Sequence, residues 1–160
     1  MAMQSVYKLE FAATSDGNPG KSGAGIVLCR PDDSLVCKLM VGLGTMANAR
    51  ADLHALILGL RASLDRGIYH IEVSGQFALI SGSQEHLSDK DATDLEKEAD
   101  TLINTFKLLL VKYKPNVCIT ASSLAKKAVG LPDGCVKKIN QDHQDGRLKD
   151  FGDWYRYWYG

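Results

Sequence analysis

The order of elements legible in this 160-residue chain predicts an α/β fold: a five-stranded mixed sheet, three antiparallel strands followed by two strand-helix units, with helices on both faces. Three observations predict it. Apolar, β-rich runs with short turns between them crowd the N-terminal third. Two later stretches repeat their apolar residues at helical spacing. Each of those two is followed by another short apolar run.

Taken in order, "SVYKLEFAA" alternates weakly and reads as a strand that breaks into the turn Gly17-Asn18-Pro19-Gly20. "SGAGIVLCR" and "SLVCKLMVGL" are two further strands joined by the turn "RPDD", so the first three strands form an antiparallel meander. In "NARADLHALILGLRASLDRG", Ala51, Ala55, Leu56, Leu58, Ala62 and Leu64 recur at helical spacing, and Gly67 supplies the stop. "IYHIEVSG" is a short strand, and "QFALISGSQEH" reads as a brief helix. "DKDATDLEKEADTLINTFK" predicts a helix with Leu95, Ala99, Leu102, Ile103 and Phe106 on one face and acids in its first turn, where the helix dipole favours them. "LLLVKYKPNVCIT" predicts a last strand, with Pro115 pushing it toward an edge, and "SSLAKKAVGL" a short helix capped by Ser122 or Ser123. The expected domain covers residues 1–138, leaving 139–160 as a C-terminal tail.

With 45% apolar residues the chain can bury a single-domain core. It has no apolar run long enough to span a membrane and no signal-peptide pattern, so an intracellular protein with no membrane partner is expected. The four cysteines, Cys29, Cys37, Cys118 and Cys135, lack metal-site spacing; Cys29 and Cys37 flank one turn symmetrically, and reduced thiols are the expectation over a disulfide across it. Net charge is zero, which argues against a strong general grip on phosphates. The charge is nevertheless segregated: acids dominate from Glu85 to Asp100, whereas seven lysines face one acid, Asp133, between Lys107 and Lys138. His54, His70, His86 and His143 have no mutual spacing that implies catalysis or metal binding.

Three strings, in order, resemble the ribonuclease H family: "LEFAATSDGNPGKSGAGIVL", "ANARADLHALILGLRASLDRG" and "IEVSGQFALI". The resemblance spans residues 7 to about 130 and implies a ribonuclease H-like fold. Family members cut the RNA strand of an RNA/DNA hybrid with two divalent ions about 4 Å apart, held by four acidic residues. Carried onto this sequence, those four positions fall on Ala12, Asp52, Gln76 and Leu124, of which only Asp52 is acidic. The nearby carboxylates are Glu10, two residues up the first strand and so roughly 7 Å away, and Asp16 in the turn. Neither restores the other two positions.

The expected role is therefore a catalytically inactive ribonuclease H-like domain, a pseudoenzyme rather than an enzyme, working as a binding or adaptor module without metal or cofactor. A protein partner is favoured. Candidate partner-binding residues are Phe77, beside the degenerate site, and Trp154, Tyr155, Tyr157 and Trp158 in the aromatic tail. The alternatives are an RNA or RNA/DNA-hybrid binder that does not cut, and a weak residual ribonuclease H. For nucleic-acid contact the candidates are Gly17, Asn18, Gly20 and Asn48 by resemblance, with Lys112, Lys114, Lys126 and Lys127 for charge.

Overall fold

Turn chemistry and alternation lay down three long antiparallel strands first: β1 (Tyr7–Gly17), β2 (Gly20–Cys29) and β3 (Leu35–Met46). There follow α1 (Asn48–Asp65), β4 (His70–Gly75), α2 (Lys90–Thr105), β5 (Leu108–Tyr113), α3 (Ile119–Ala128), β6 (Val136–Ile139) and β7 (Leu148–Asp150). The computed structural model describes residues 5–17, 19–75, 90–113, 119–139 and 148–150. The brief helix expected over 76–86 lies outside them, as do Cys118, His86 and His143.

Among the described residues the sheet has seven strands in the order β5-β4-β1-β2-β3-β6-β7. The α/β class and the mixed sheet are as expected: β4 runs parallel to both β1 and β5, and the meander is antiparallel. The strand count is corrected upward, because β6 pairs with β3 and β7 with β6. Four-residue and three-residue strands carry too little alternation to be legible in the sequence.

The two faces of the sheet bury different cores. Leu9, Phe11, Ile26, Leu28, Leu39 and Val41 join α1 and α2 in the main cluster. Val27 and Met40, on the opposite face, join Ala121, Leu124 and Ala128 of α3 in a smaller one. Helix α1 is buried nearly all round, Leu53, Ile57 and Leu60 included, because sheet and α2 both pack on it. It ends as Gly67 predicts: this residue takes φ +74, its N–H donates to the Leu64 carbonyl, and Ile68 N–H donates to that of Ser63. On α2 the predicted stripe is the buried one, with Leu95, Ala99, Leu102 and Phe106 inside and Ile103 packed against them. Across the two helices Arg61 Nε donates to Glu98 Oε1 at 3.1 Å in a half-buried ion pair. Glu98→Gln should lower the melting temperature by a few degrees, a cost of about 1 kcal/mol measured by thermal denaturation.

Two expectations are corrected, and the reduced state of Cys29 and Cys37 is as expected. The strand expected through Thr120 is described over Leu108–Tyr113, and Ile119 and Thr120 belong to α3, which is described from Ile119 rather than from a Ser122 or Ser123 cap. Ala121, Leu124, Ala125 and Ala128 form a helical stripe on β2, and this packing overrides the β preference of Ile119 and Thr120. Cys29 and Cys37 are both free: Cys37 pairs with Leu28 while Cys29 pairs with Leu35, which sets the two thiols on opposite faces of the sheet.

Helix α3 lies unusually close to the sheet. A Cβ on Gly25 would stand 2.1 Å from the Ala121 carbonyl oxygen, one on Gly23 2.5 Å from Val129 N, and one on Gly42 2.3 Å from the Pro132 oxygen. Those three glycines pave the floor on which the helix and the loop after it rest.

Candidate functional site

Five of the positions singled out by sequence, Gly17, Gly20, Asn48, Lys126 and Lys127, lie toward the end of the sheet where β1 turns into β2. Gly17, at φ +100, pairs with Gly20, and a Cβ on Gly20 would meet the Asp16 carbonyl oxygen at 2.0 Å. Only glycine closes this turn. Lys21, the next residue, is exposed and in register with both Asp16 and Thr45. One residue beyond Thr45, β3 ends at Met46, and α1 starts with exposed Asn48 two residues later. Ala47, at the N-cap of α1, supplies no side-chain cap to the first turn. Lys126 and Lys127 are exposed in the last turn of α3, which ends over Gly23, three residues along β2 from Gly20.

The fold therefore gathers Gly17, Gly20, Asn48, Lys126 and Lys127 at one end, with Lys21 and Arg50 beside them. Those last two escaped the sequence reading. Their signal was position alone, Lys21 directly after the glycine turn and Arg50 two residues after Asn48. Lys112 does not join the group. It lies on edge strand β5 in register with Ser74, which is itself level with Glu10, about 23 Å along the strand direction from Gly17. Asn18, Gln76, Phe77, Lys114, Trp154, Tyr155, Tyr157 and Trp158 lie outside the described residues, so the apolar pocket expected around Phe77 and the aromatic tail carry no structural account.

At the positions equivalent to the family's acids, Ala12 and Leu124 pack in the same small apolar cluster, Ala12 in register with Gly25 and Leu124 on the helix above it. Half-buried Asp52 stands one turn into α1. Burial alone pushes its carboxyl up from the ordinary 3.8 to about 7. Its helix neighbour His54 is driven the other way, to about 4, first by burial and then by the Arg50 charge, so the imidazole is neutral at physiological pH.

These residues do not fit a pair of divalent ions. Mg²⁺ requires several hard oxygen ligands, whereas Ala12 and Leu124 carry none and sit among apolar side chains. Among the described residues, no group of three His, Cys, Asp or Glu side chains is placed to share an ion.

Comparison with known proteins gives a consistent result. A family model described as "Reverse transcriptase-like" matches residues 10–128. Among solved structures, ribonuclease H1 from the halophilic archaeon Halobacterium salinarum is 28% identical, with TM-score 0.69 over 77% of this chain and 96% of that one. The N-terminal ribonuclease H domain of a Mycobacterium tuberculosis protein is 24% identical, with TM-score 0.69 over 77% of this chain and 98% of that one. LC11-RNase H1, solved in complex with an RNA/DNA hybrid, is 19% identical, with TM-score 0.66 over 77% of this chain and 96% of that one. No curated protein matches the sequence.

The expectation that the chain is not an enzyme is overturned by these matches. It rested on side-chain identity at four positions, whereas the family model and the ribonuclease H structure from Halobacterium salinarum relate the chain to enzymes, so those identities do not carry it. With most of its length matched, the chain belongs to the reverse transcriptase-like family, as a ribonuclease H-like domain.

Proposed function

We propose that this domain binds RNA/DNA hybrid at the end of the sheet formed by the β1–β2 turn, the start of α1 and the end of α3. The observation that carries the proposal is the gathering of the Gly17–Gly20 turn, Asn48, Lys21, Lys126 and Lys127 at that one end. The glycine turn lets backbone approach a sugar-phosphate chain closely. Asn48 offers an amide that both donates and accepts, and its position at an N-terminus without a side-chain cap directs backbone N–H groups toward an anion. The lysines neutralise phosphates, which sets affinity and its salt dependence without reading sequence. A structural relative with the same fold is seen in complex with an RNA/DNA hybrid, which supports the choice of ligand.

Titration of a labelled hybrid by fluorescence anisotropy tests this. Lys126→Ala and Lys127→Ala should each reduce the slope of log affinity against log salt by about 1. Asn48→Ala should weaken binding about tenfold at unchanged slope, the loss of one well-placed hydrogen bond. No saturable binding at low salt, or affinities unmoved by all three changes, would remove the proposal.

A protein-binding role is the second reading, supported by Leu110 and Val111, which are 45% and 42% exposed on edge strand β5. Exposed apolar residues on a strand that, among the described residues, forms the edge of the sheet invite another chain. Leu110→Lys would abolish recovery of a protein partner while leaving hybrid binding intact, because β5 lies away from the turn.

A further inference from the structure

We infer that the site where Ala12 packs against the Leu124 cluster takes no pair of divalent metal ions, and that the hybrid held beside it is held without Mg²⁺. The second half rests on the hybrid-binding reading above, whereas the first stands on packing alone.

The packing argument begins with the donors. On the α3 face of the sheet, Ala12 is in register with Gly25, which in turn is in register with Met40. Met40 and Leu124 are both buried. Neither side chain, nor that of Ala12, carries an oxygen, so the described side chains packed here are apolar. Glu10 shares this face but lies two residues further from the turn, roughly 7 Å along the strand. Asp16 lies four residues the other way, exposed and directly opposite Lys21.

Space gives the second argument. Mg²⁺ needs six oxygens at about 2.1 Å and gives up its waters reluctantly, so the ion arrives in a shell whose opposite oxygen centres are already about 4 Å apart. Over Gly25 the helix backbone leaves no room even for a methyl group, with the Ala121 oxygen 2.1 Å and Ala125 N 2.7 Å from where a Cβ would stand. A hydrated ion enters between Gly25 and α3 only if the helix lifts from the sheet, which exposes Val27, Met40, Ala121 and Ala128 to water. Lysines do the neutralising that metal ions would otherwise do: Lys21, Lys126 and Lys127 lie at the same end of the sheet and need no ion to meet a phosphate.

Three measurements on the intact chain test the inference. Calorimetric titration with Mn²⁺ should show no saturable binding at millimolar metal, and saturable binding that Asp52→Asn abolishes would overturn the metal half. The melting temperature should not move when Mg²⁺ or Mn²⁺ replaces EDTA at matched ionic strength, since a ligand of the native state alone would raise it; a reproducible rise would also overturn that half. Hybrid affinity in EDTA and in Mg²⁺ should agree within about twofold at matched ionic strength, and a loss of more than tenfold in EDTA would overturn the metal-free grip. Absence of hybrid binding in both buffers would overturn the grip together with the reading of function, while the Mn²⁺ titration would still decide the metal half.

Discussion

Gly25→Ala should destabilise the domain by about 3 kcal/mol or more, a drop of roughly 10 °C in melting temperature for a chain of this size. The added methyl would stand 2.1 Å from the Ala121 carbonyl oxygen and 2.7 Å from both Ala125 N and Leu124 Cβ. Two of those three atoms are helix backbone, which cannot swing aside as the end of a long side chain does. Relief requires α3 to rise or slide, and either motion uncovers the small cluster of Val27, Met40, Ala121, Leu124 and Ala128. Gly130→Ala is the matched control: its nearest neighbour would be the Lys127 oxygen at an ordinary 3.7 Å, and its effect should stay within about 0.5 kcal/mol. Thermal or urea denaturation of both variants separates crowding at the α3 seat from any general cost of replacing glycine. Equal stabilities would show that the helix is not seated as described.

Asp52→Asn should make the protein more stable at neutral and alkaline pH. In the folded chain the Asp52 carboxyl holds its proton up to about pH 7, while the unfolded chain releases it near the ordinary 3.8. Between those values the folded state binds more protons, so stability falls as pH rises through the window. Asparagine keeps the shape and removes the ionisation. The two proteins should therefore be nearly equal at pH 4, diverge steadily toward neutrality and differ by about 3 kcal/mol at pH 8. That figure allows for the partial contact of the side chain with water, which screens its charge. Melting curves at pH 4, 6 and 8 check the sign: a variant less stable than the parent at pH 8 would mean that the ionised carboxylate is stabilised by a partner.

Much of the fold was legible because its signals are local. The stripe Leu95, Ala99, Leu102 and Phe106 fixed the buried face of α2, and Gly67 ended α1 where its positive φ was needed. What the residues alone could not show was pairing across the sheet. The separation of Lys112 from Lys126 and Lys127 follows from the register of β5 on β4, and the opposite facing of Cys29 and Cys37 from the register of β2 on β3; neither register is written in composition or spacing. The start of α3 was missed for a related reason, since Ile119 and Thr120 are strand-formers held in a helix by a glycine floor contributed from far upstream. At the candidate site, Ala12, Asp52 and Leu124 were located through resemblance, but the elevated proton affinity of Asp52 and the company kept by Ala12 come from burial, which a single sequence does not display. The inference from missing acids to a missing enzyme went further than side-chain identity allowed.

The glycine floor also orders the birth of the molecule. Its strands leave the ribosome early, whereas the helix that covers them follows only after α1, β4, α2 and β5 have been made. Until then Val27 and Met40 face water on an otherwise finished meander, and contacts this distant in sequence form slowly. A nascent chain stalled before Ile119 thus carries an uncovered apolar strip, the kind of surface that chaperones shield and that aggregation exploits.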